Sequence, residues 1–324
     1  MLSLDAAAVR QGLPWPALVQ SLREGFAQGA TVPPRHVHSI DIGGATAGTA
    51  LLMPAWREGG PLGAVFGVKT VTVHPGNAAR GLPAVHAAYT LMDAATGVPL
   101  ASLDGSELTA RRTAAASALA ADFLARPDAS TLLVVGAGRV ASLMPEALRA
   151  VRPALARVRV WNRSLPAARA LADALARQGW DADVAPDLAQ AVPQADLVSC
   201  ATLSQAPLVR GAWLRPGMHL DLIGSFTPAM RETDGACFTR SRVHVDTEEA
   251  LAKSGDLLQA VAEGAWSPTA LQGSLGTLCR GETRPRGTAQ EITLFKSVGS
   301  ALEDLVAAEL LVHRYLGMAR PMGR

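Results

Sequence analysis

Aromatic residues are scarce in this chain of 324 residues, at 4%, and charged residues reach only 18%. Lysine and arginine number 30 against 28 aspartates and glutamates, with no basic block. A nucleic acid is therefore not an expected partner. Cys200, Cys237 and Cys279 are the three cysteines. They stand too far apart for a disulfide framework or a zinc pattern, which fits a reducing cytoplasm. No apolar run reaches the ~20 residues of a membrane helix. The opening stretch MLSLDAAAVRQGLPW lacks the basic and long apolar regions of a signal peptide. Missing too are a serine nucleophile elbow and an HExxH motif. Asp104 and Glu107 are near neighbours, but nothing marks them as an acid–base pair. What is present is a 49% hydrophobic composition, which marks a globular chain long enough for two domains or one large one.

Three textures follow one another. Up to about residue 108, short strand-like pieces alternate with Pro and Gly turns. The alternation in VKTVTV and the DAATG turn between apolar runs predict an antiparallel sheet with hairpins. From Thr131 the pattern becomes strand, helix, strand, helix: TLLVVGAG, a helix over about 139–149, RVRVWN, then SLPAARALADALARQG closed by Gly179. DADVA, ADLVSCAT, HLDLIGS and RVHVDT continue it. Such alternation implies right-handed crossovers and a mostly parallel sheet. The run ITLFKSVGSALEDLVAAELLVHRYLG then closes the chain in a long helix that is expected to pack back on the first region.

Between these regions lies LDGSELTARRTAAASALAADFLA. Thr109 reads as an N-cap before an Ala-rich helix, which puts Arg111 and Arg112 in the first turn. Cations there oppose the helix dipole, at ~0.3–1 kcal/mol. Either both side chains reach water, or an anion sits there, held by arginine and helix terminus together.

LLVVGAGRVA carries Gly136, Gly138 and Ala141 in a G-x-G-x-x-A pattern, after a strand and before a helix. That is the dinucleotide fingerprint in its required context: a tight turn, close approach to a pyrophosphate, and close helix–strand packing. An NAD enzyme tends to end the next strand in Asp or Glu, to bind the ribose 2′-hydroxyl. Here stand Asn162, Arg163 and Ser164, which suit a 2′-phosphate and so NADPH, with NADH as the lesser alternative. Thr202 and Leu203 are expected to border the nicotinamide ribose. His36 and His38 alternate like a strand pair, but no further ligand supports a metal, and none is expected. Lys69 in VKTVTV and His86 in PAVHAAY have bland readings as a solvated lysine and a core histidine, and Arg35 follows two prolines in a rigid extended segment.

Several stretches together resemble the ornithine cyclodeaminase/μ-crystallin family over nearly the whole chain. They are PPRHVHS, GVKTVTVHPGN, TARRTAAASALAA, VVGAGRVA, VWNRS, LVRGAWLRPGMHLDLIGS and ITLFKSVGSALEDLVAAEL. The resemblance implies a Rossmann-type doubly wound parallel sheet over 126–299. It also implies an α+β substrate-binding and dimerisation domain from 1–125 and 300–324, and a homodimer. Arg35, Lys69 and Arg112 match the family's positions for the substrate carboxylate, which leaves Arg111 solvated. The resemblance extends the expected cofactor contacts to Thr113, Ala137, Arg139, Val140, Ile223, Ser225 and Lys296. Cyclodeaminases carry a catalytic Asp in a G-G-D-C-P-G-K type loop; this chain reads IGSFTPAMRETD, with Phe226 at that position. GSFTPAMRE, VSCATLS and LTARRT are most similar to bacterial Δ1-pyrroline-2-carboxylate reductases. The activity implied is NADPH-dependent reduction of that cyclic imino acid to L-proline, and of Δ1-piperideine-2-carboxylate to L-pipecolate. Lys69 and His86 are the catalytic candidates, His86 as a proton source. Two alternatives are an ammonia-releasing cyclodeaminase and a crystallin-type protein that binds NADPH and a small carboxylate.

Overall fold

The computed structural model describes residues 1–319. The chain divides into two compact units, residues 1–112 with the chain from Ser300 onward, and residues 113–299. Residues 320–324, part of the C-terminal segment expected in the first unit, lie outside the described residues. The division falls within a helix, between Arg112 and Thr113, rather than after Ala125.

The first unit is built on a sheet of β1 (Leu2–Leu4), β2 (His36–Ile42), β3 (Ala45–Gly60), β4 (Gly63–Val73), β5 (Val85–Asp93) and β6 (Pro99–Asp104). Their order is β1-β6-β5-β4-β3-β2, antiparallel except where β1 joins β6. The DAATG turn closes the β5–β6 hairpin as its residues predict. The Asp93 carboxylate accepts from the N–H groups of Ala95 and Thr96, and Gly97 takes a φ of 74°. Two helices, Ala6–Gly12 and Trp15–Gln28, were not expected in this region. Their signals are local: Asp5 caps the first, and Trp15, Leu18, Val19, Leu22 and Phe26 bury one face of the second.

The helix after β6 spans Gly105–Leu124 and begins four residues before Thr109. Asp104 caps it by accepting from the Glu107 N–H at 2.7 Å, while the Thr109 hydroxyl donates back to Gly105 O at 2.6 Å. Thr109 is therefore an interior residue, and the two arginines lie in the second turn. Gly105 fits because a Cβ there would meet the Ala87 backbone at 2.7 Å.

The second unit holds β7 (Thr131–Val135), β8 (Arg157–Trp161), β9 (Asp181–Val184), β10 (Leu197–Cys200), β11 (His219–Leu222), β12 (Arg242–Val245), β13 (Gly273–Ser274) and β14 (Thr293–Lys296). The order β13-β12-β14-β11-β10-β7-β8-β9 is parallel throughout. The order reverses between β7 and β10, where a doubly wound sheet opens its crevice. ITLFK is not the start of the closing helix. Its Thr293–Lys296 is a buried strand between β11 and β12, and the helix begins at Ala301. That helix, Ala301–Ala319, belongs to the first unit, where its Val306 lies 2.4 Å from where a Cβ on Gly25 would stand.

Candidate active site

In the first unit, antiparallel pairing sets Lys69 of β4 directly opposite Tyr89 of β5. Alternation puts both on the face that also carries Val65 and Leu91, all buried. The closing helix contributes acidic residues at its start. The Lys69 ammonium is 2.6 Å from Asp304 Oδ2, and Arg112 Nε is 2.9 Å from Asp304 Oδ1. A second Arg112 nitrogen pairs with Glu303. The whole cluster is buried. Two cations thus meet two carboxylates, with Asp304 spacing Lys69 from Arg112. Burial pushes the Lys69 ammonium down to about 8, against the opposing pull of Asp304.

The other expected residues of this unit fall differently. Arg35 is half-buried just before β2; His36 pairs with Leu52, and Met53 with Lys69. Arg35 therefore enters the sheet close to the row of Lys69, two strands or about 10 Å away. His86 pairs with Thr72, three residues from Lys69, and so points to the opposite face of the sheet, where it is exposed. It is neither a core histidine nor beside Lys69. Arg111 is not solvated. Its guanidinium donates to Leu13 O at 2.7 and 3.2 Å and stacks 4.0 Å over the Trp15 ring, with 5% exposure. The reason is geometric: adjacent helical residues point about 100° apart, and this helix is buried on both sides that the arginines face.

In the second unit, Gly136 leaves β7 with a φ of 123°, and a Cβ on it would lie 2.6 Å from Ala201 O. Gly138 caps the helix Arg139–Arg149 with no side-chain bond, and no atom lies within 4 Å of where its Cβ would stand. A helix N-terminus beside open space has the form of a cradle that suits a pyrophosphate. Ala137 and Val140 are half-buried around it, and Arg139 is exposed. At the end of β8, Asn162 donates to Ser164 O at 3.2 Å, Arg163 is exposed, and Ser164 opens the helix Leu165–Arg177 with no capping bond. Thr113 is half-buried in its helix, and Leu203 is 71% exposed.

Ser225 and Lys296 sit behind this surface rather than on it. Ser225 holds a φ of 59°, rare for a residue with a side chain. Its hydroxyl turns inward, donating to Met230 O and accepting from Asp256 N. Lys296 is fully buried and donates to Leu222 O at 3.1 Å and to Gly224 O. Both side chains thus contact the backbone of the loop after β11, which Ile223 opens, or the residues packed behind it. Phe226 of that loop is 43% exposed. Burial pushes the Asp221 carboxyl below the loop up to about 6, although Ser199 donates to it at 2.6 Å. Two residues that sequence reasoning missed hold these parts together: Asp304 in the first unit and Glu232 in the second. Among the described residues no group of three His, Cys, Asp or Glu is arranged for a metal, and no helix is long and apolar enough to cross a membrane.

The model of the ornithine cyclodeaminase/mu-crystallin family matches residues 6–318. A Δ1-pyrroline-2-carboxylate reductase of Paracoccus denitrificans is 42% identical over 308 residues, covering 94% of each chain. Among solved structures, the Thermococcus litoralis Δ1-pyrroline-2-carboxylate reductase in complex with NADH and L-proline superposes with a TM-score of 0.91. It is 30% identical, with all of both chains covered. An archaeal alanine dehydrogenase dimer with bound NAD superposes at 0.89, with 28% identity over 99% of this chain and 97% of that one.

Proposed function

Because the chain belongs to the ornithine cyclodeaminase/mu-crystallin family, we propose that it reduces Δ1-pyrroline-2-carboxylate to L-proline with a nicotinamide cofactor. The glycine cradle after β7 and the loops after β10 and β11 would hold the cofactor, which when bound supplies the hydride. Lys69 and Arg112, with Arg35 beside their row, hold the substrate carboxylate and so fix the position of C2. Hydride adds at C2, the C=N π pair moves to nitrogen, and nitrogen carries one proton more than in the neutral imine. Lys69, with its lowered pKa, holds a proton that it can release near neutral pH. His86, on the other sheet face, is not assigned that step.

The observation that separates this reading from the ammonia-releasing branch of the family is the loop at Phe226, which offers no side-chain carboxylate where a cyclodeaminase has its Asp. A preference for NADPH is a further proposal. It rests on exposed Arg163 and on the missing carboxylate at the end of β8. Six-membered Δ1-piperideine-2-carboxylate is proposed as a second substrate, and a homodimer as the assembly, as seen for the alanine dehydrogenase neighbour.

The test is oxidation of NADPH and NADH with enzymatically generated Δ1-pyrroline-2-carboxylate, beside L-ornithine assayed for ammonia. Steady turnover of the imino acid without ammonia release supports the reductase. Ammonia from ornithine would make the protein a lyase. Tight cofactor binding with no turnover would make it a binding protein.

A further inference from the structure

The loops after β10 and β11 come from separate strands, yet one buried carboxylate joins them. Glu232 Oε1 accepts from both the N–H and the hydroxyl of Thr202, each at 2.8 Å. At Gly224, in the other loop, a Cβ would stand 2.3 Å from Thr202 O and 2.4 Å from Glu232 Oε1. The two loops and the carboxylate are thus in direct contact, and only glycine fits between them.

Glu232 is itself tied down. Its own N–H and that of Thr233 donate to Asp256 Oδ1 at 2.9 and 3.0 Å, and Asp256 N donates to Ser225 Oγ at 2.8 Å. Lys296 reaches Leu222 O and Gly224 O from below and lies 3.8 Å from Asp256 Oδ2. Glu232, Asp256, Ser225 and Lys296 are all buried in the same unit, Lys296 at the carboxyl end of β14 and Ser225 in the loop after β11.

We propose that Glu232 is a positioning residue for the cofactor: it clamps the Thr202 loop to the Gly224 turn and so shapes the bed for the nicotinamide end. This rests on the reading of the chain as a nicotinamide-dependent reductase. A neutral group with two acceptors would serve a purely structural tie. Here two buried carboxylates share a single cation, which makes the clamp sensitive to protonation. Burial pushes the Glu232 carboxyl up to about 7; Lys296 pulls it down, and Asp256 pushes it up. The other titratable groups around it are Cys200 on β10, whose thiol burial keeps protonated, and Asp221 on β11, which also faces Lys296. Arg231, next along the chain, turns away to pair with Glu263. Protonation weakens Glu232 as an acceptor for Thr202, so the clamp is firm above pH about 7 and loosens below it.

The test measures the Kd of NADH and NADPH by fluorescence between pH about 6 and 8 for wild type, Glu232→Gln and Glu232→Ala, with thermal unfolding of each. In wild type, Kd is expected to rise about five- to tenfold toward the acid end, the step from a charged to a neutral acceptor. Glu232→Gln keeps an oxygen for Thr202 and cannot titrate. It should fold, bind at close to the acid-limit affinity, and show no pH dependence across this range. Glu232→Ala should bind more weakly than Gln at every pH. Superimposable pH profiles for wild type and Glu232→Gln would overturn the clamp and leave the proposed function standing. A wild type that binds neither nucleotide at any pH would overturn both.

Discussion

Asp304→Asn isolates the part of the first unit that holds Lys69 and Arg112, the cations proposed to bind the substrate carboxylate. The aspartate offers one oxygen to Lys69 at 2.6 Å and the other to Arg112 at 2.9 Å, with all three side chains buried. Asparagine keeps the shape and one oxygen but removes the charge and turns an amide toward one cation. Removing one partner of a buried pair costs ~3–5 kcal/mol, because a charge is left uncompensated. A folded domain has ~5–15 kcal/mol to lose, so the variant should fold with a lowered midpoint in urea. The functional consequence runs through Lys69. Burial already lowers its pKa to about 8, and Asp304 is the main force holding it up. A lysine with a lowered pKa keeps its charge, and its grip on a carboxylate, below that pKa and loses both as pH rises through it. In wild type, KM for the imino acid should therefore rise above pH about 8. In Asp304→Asn the same rise should move to lower pH. At neutral pH the loss of a charged contact should lower kcat/KM by about 10- to 150-fold, or ~1.5–3 kcal/mol. The assay is steady-state kinetics across this pH range, with NADH affinity as a check on the other unit. An unchanged KM profile, or a shift toward higher pH, would refute the role of Asp304 in holding these cations.

Arg163→Ala should weaken NADPH by about 10- to 150-fold and leave NADH nearly unchanged, measured as paired Kd values; equal losses would remove Arg163 from phosphate recognition. Gly136→Ala should lose nucleotide binding, read by titration, because its Cβ meets Ala201 O at 2.6 Å and its φ of 123° is strained for alanine. Arg111→Ala should cost ~2–4 kcal/mol in urea unfolding, since it removes a buried cation from Leu13 O and the Trp15 ring; a change within ~0.5 kcal/mol would mean the contacts are idle. Wild type should release no ammonia from L-ornithine, and Phe226→Asp alone should not create that activity, because a carboxylate there does not rebuild the rest of a lyase site.

The parallel sheet was legible because its strands are short apolar runs that end in Gly or polar turns. The helices Arg139–Arg149 and Leu165–Arg177 lie where their spacing predicts. The glycine fingerprint was legible for the same local reason, since turn, close approach and helix cap all occur within a few residues. Errors came where local signals compete. Only the four residues SVGS separate ITLFK from the helical run, with Gly299 at a φ of 79° as the break, so strand and helix merge into one expected element when that glycine is passed over. Thr109 has the chemistry of an N-cap, but Asp104 has it too, and at the end of a strand it won. The cofactor-side lysine and serine were read as facing a ligand. Their neighbours in sequence say nothing of the carbonyls and Asp256 that turn them inward.

The two carboxylates that pair with Lys69 and Arg112 were hidden for a deeper reason. Glu303 and Asp304 stand in the first turn of the closing helix, where carboxylates are favoured by the helix dipole alone. That local explanation is sufficient, so nothing in the sequence asks for a second one. The arginine that needed explaining lay 192 residues earlier. Arg112 reads in the sequence as a misplaced cation at a helix start, while Asp304 needs no explanation at the start of another. The fold brings the two together and adds Lys69 to the same carboxylate. An anion does sit at Arg112, and it belongs to the protein. A substrate carboxylate would therefore meet cations already spaced and partly neutralised by Asp304. On the proposed reading such a preset cluster would lower the ordering cost of binding and limit the net charge it can offer.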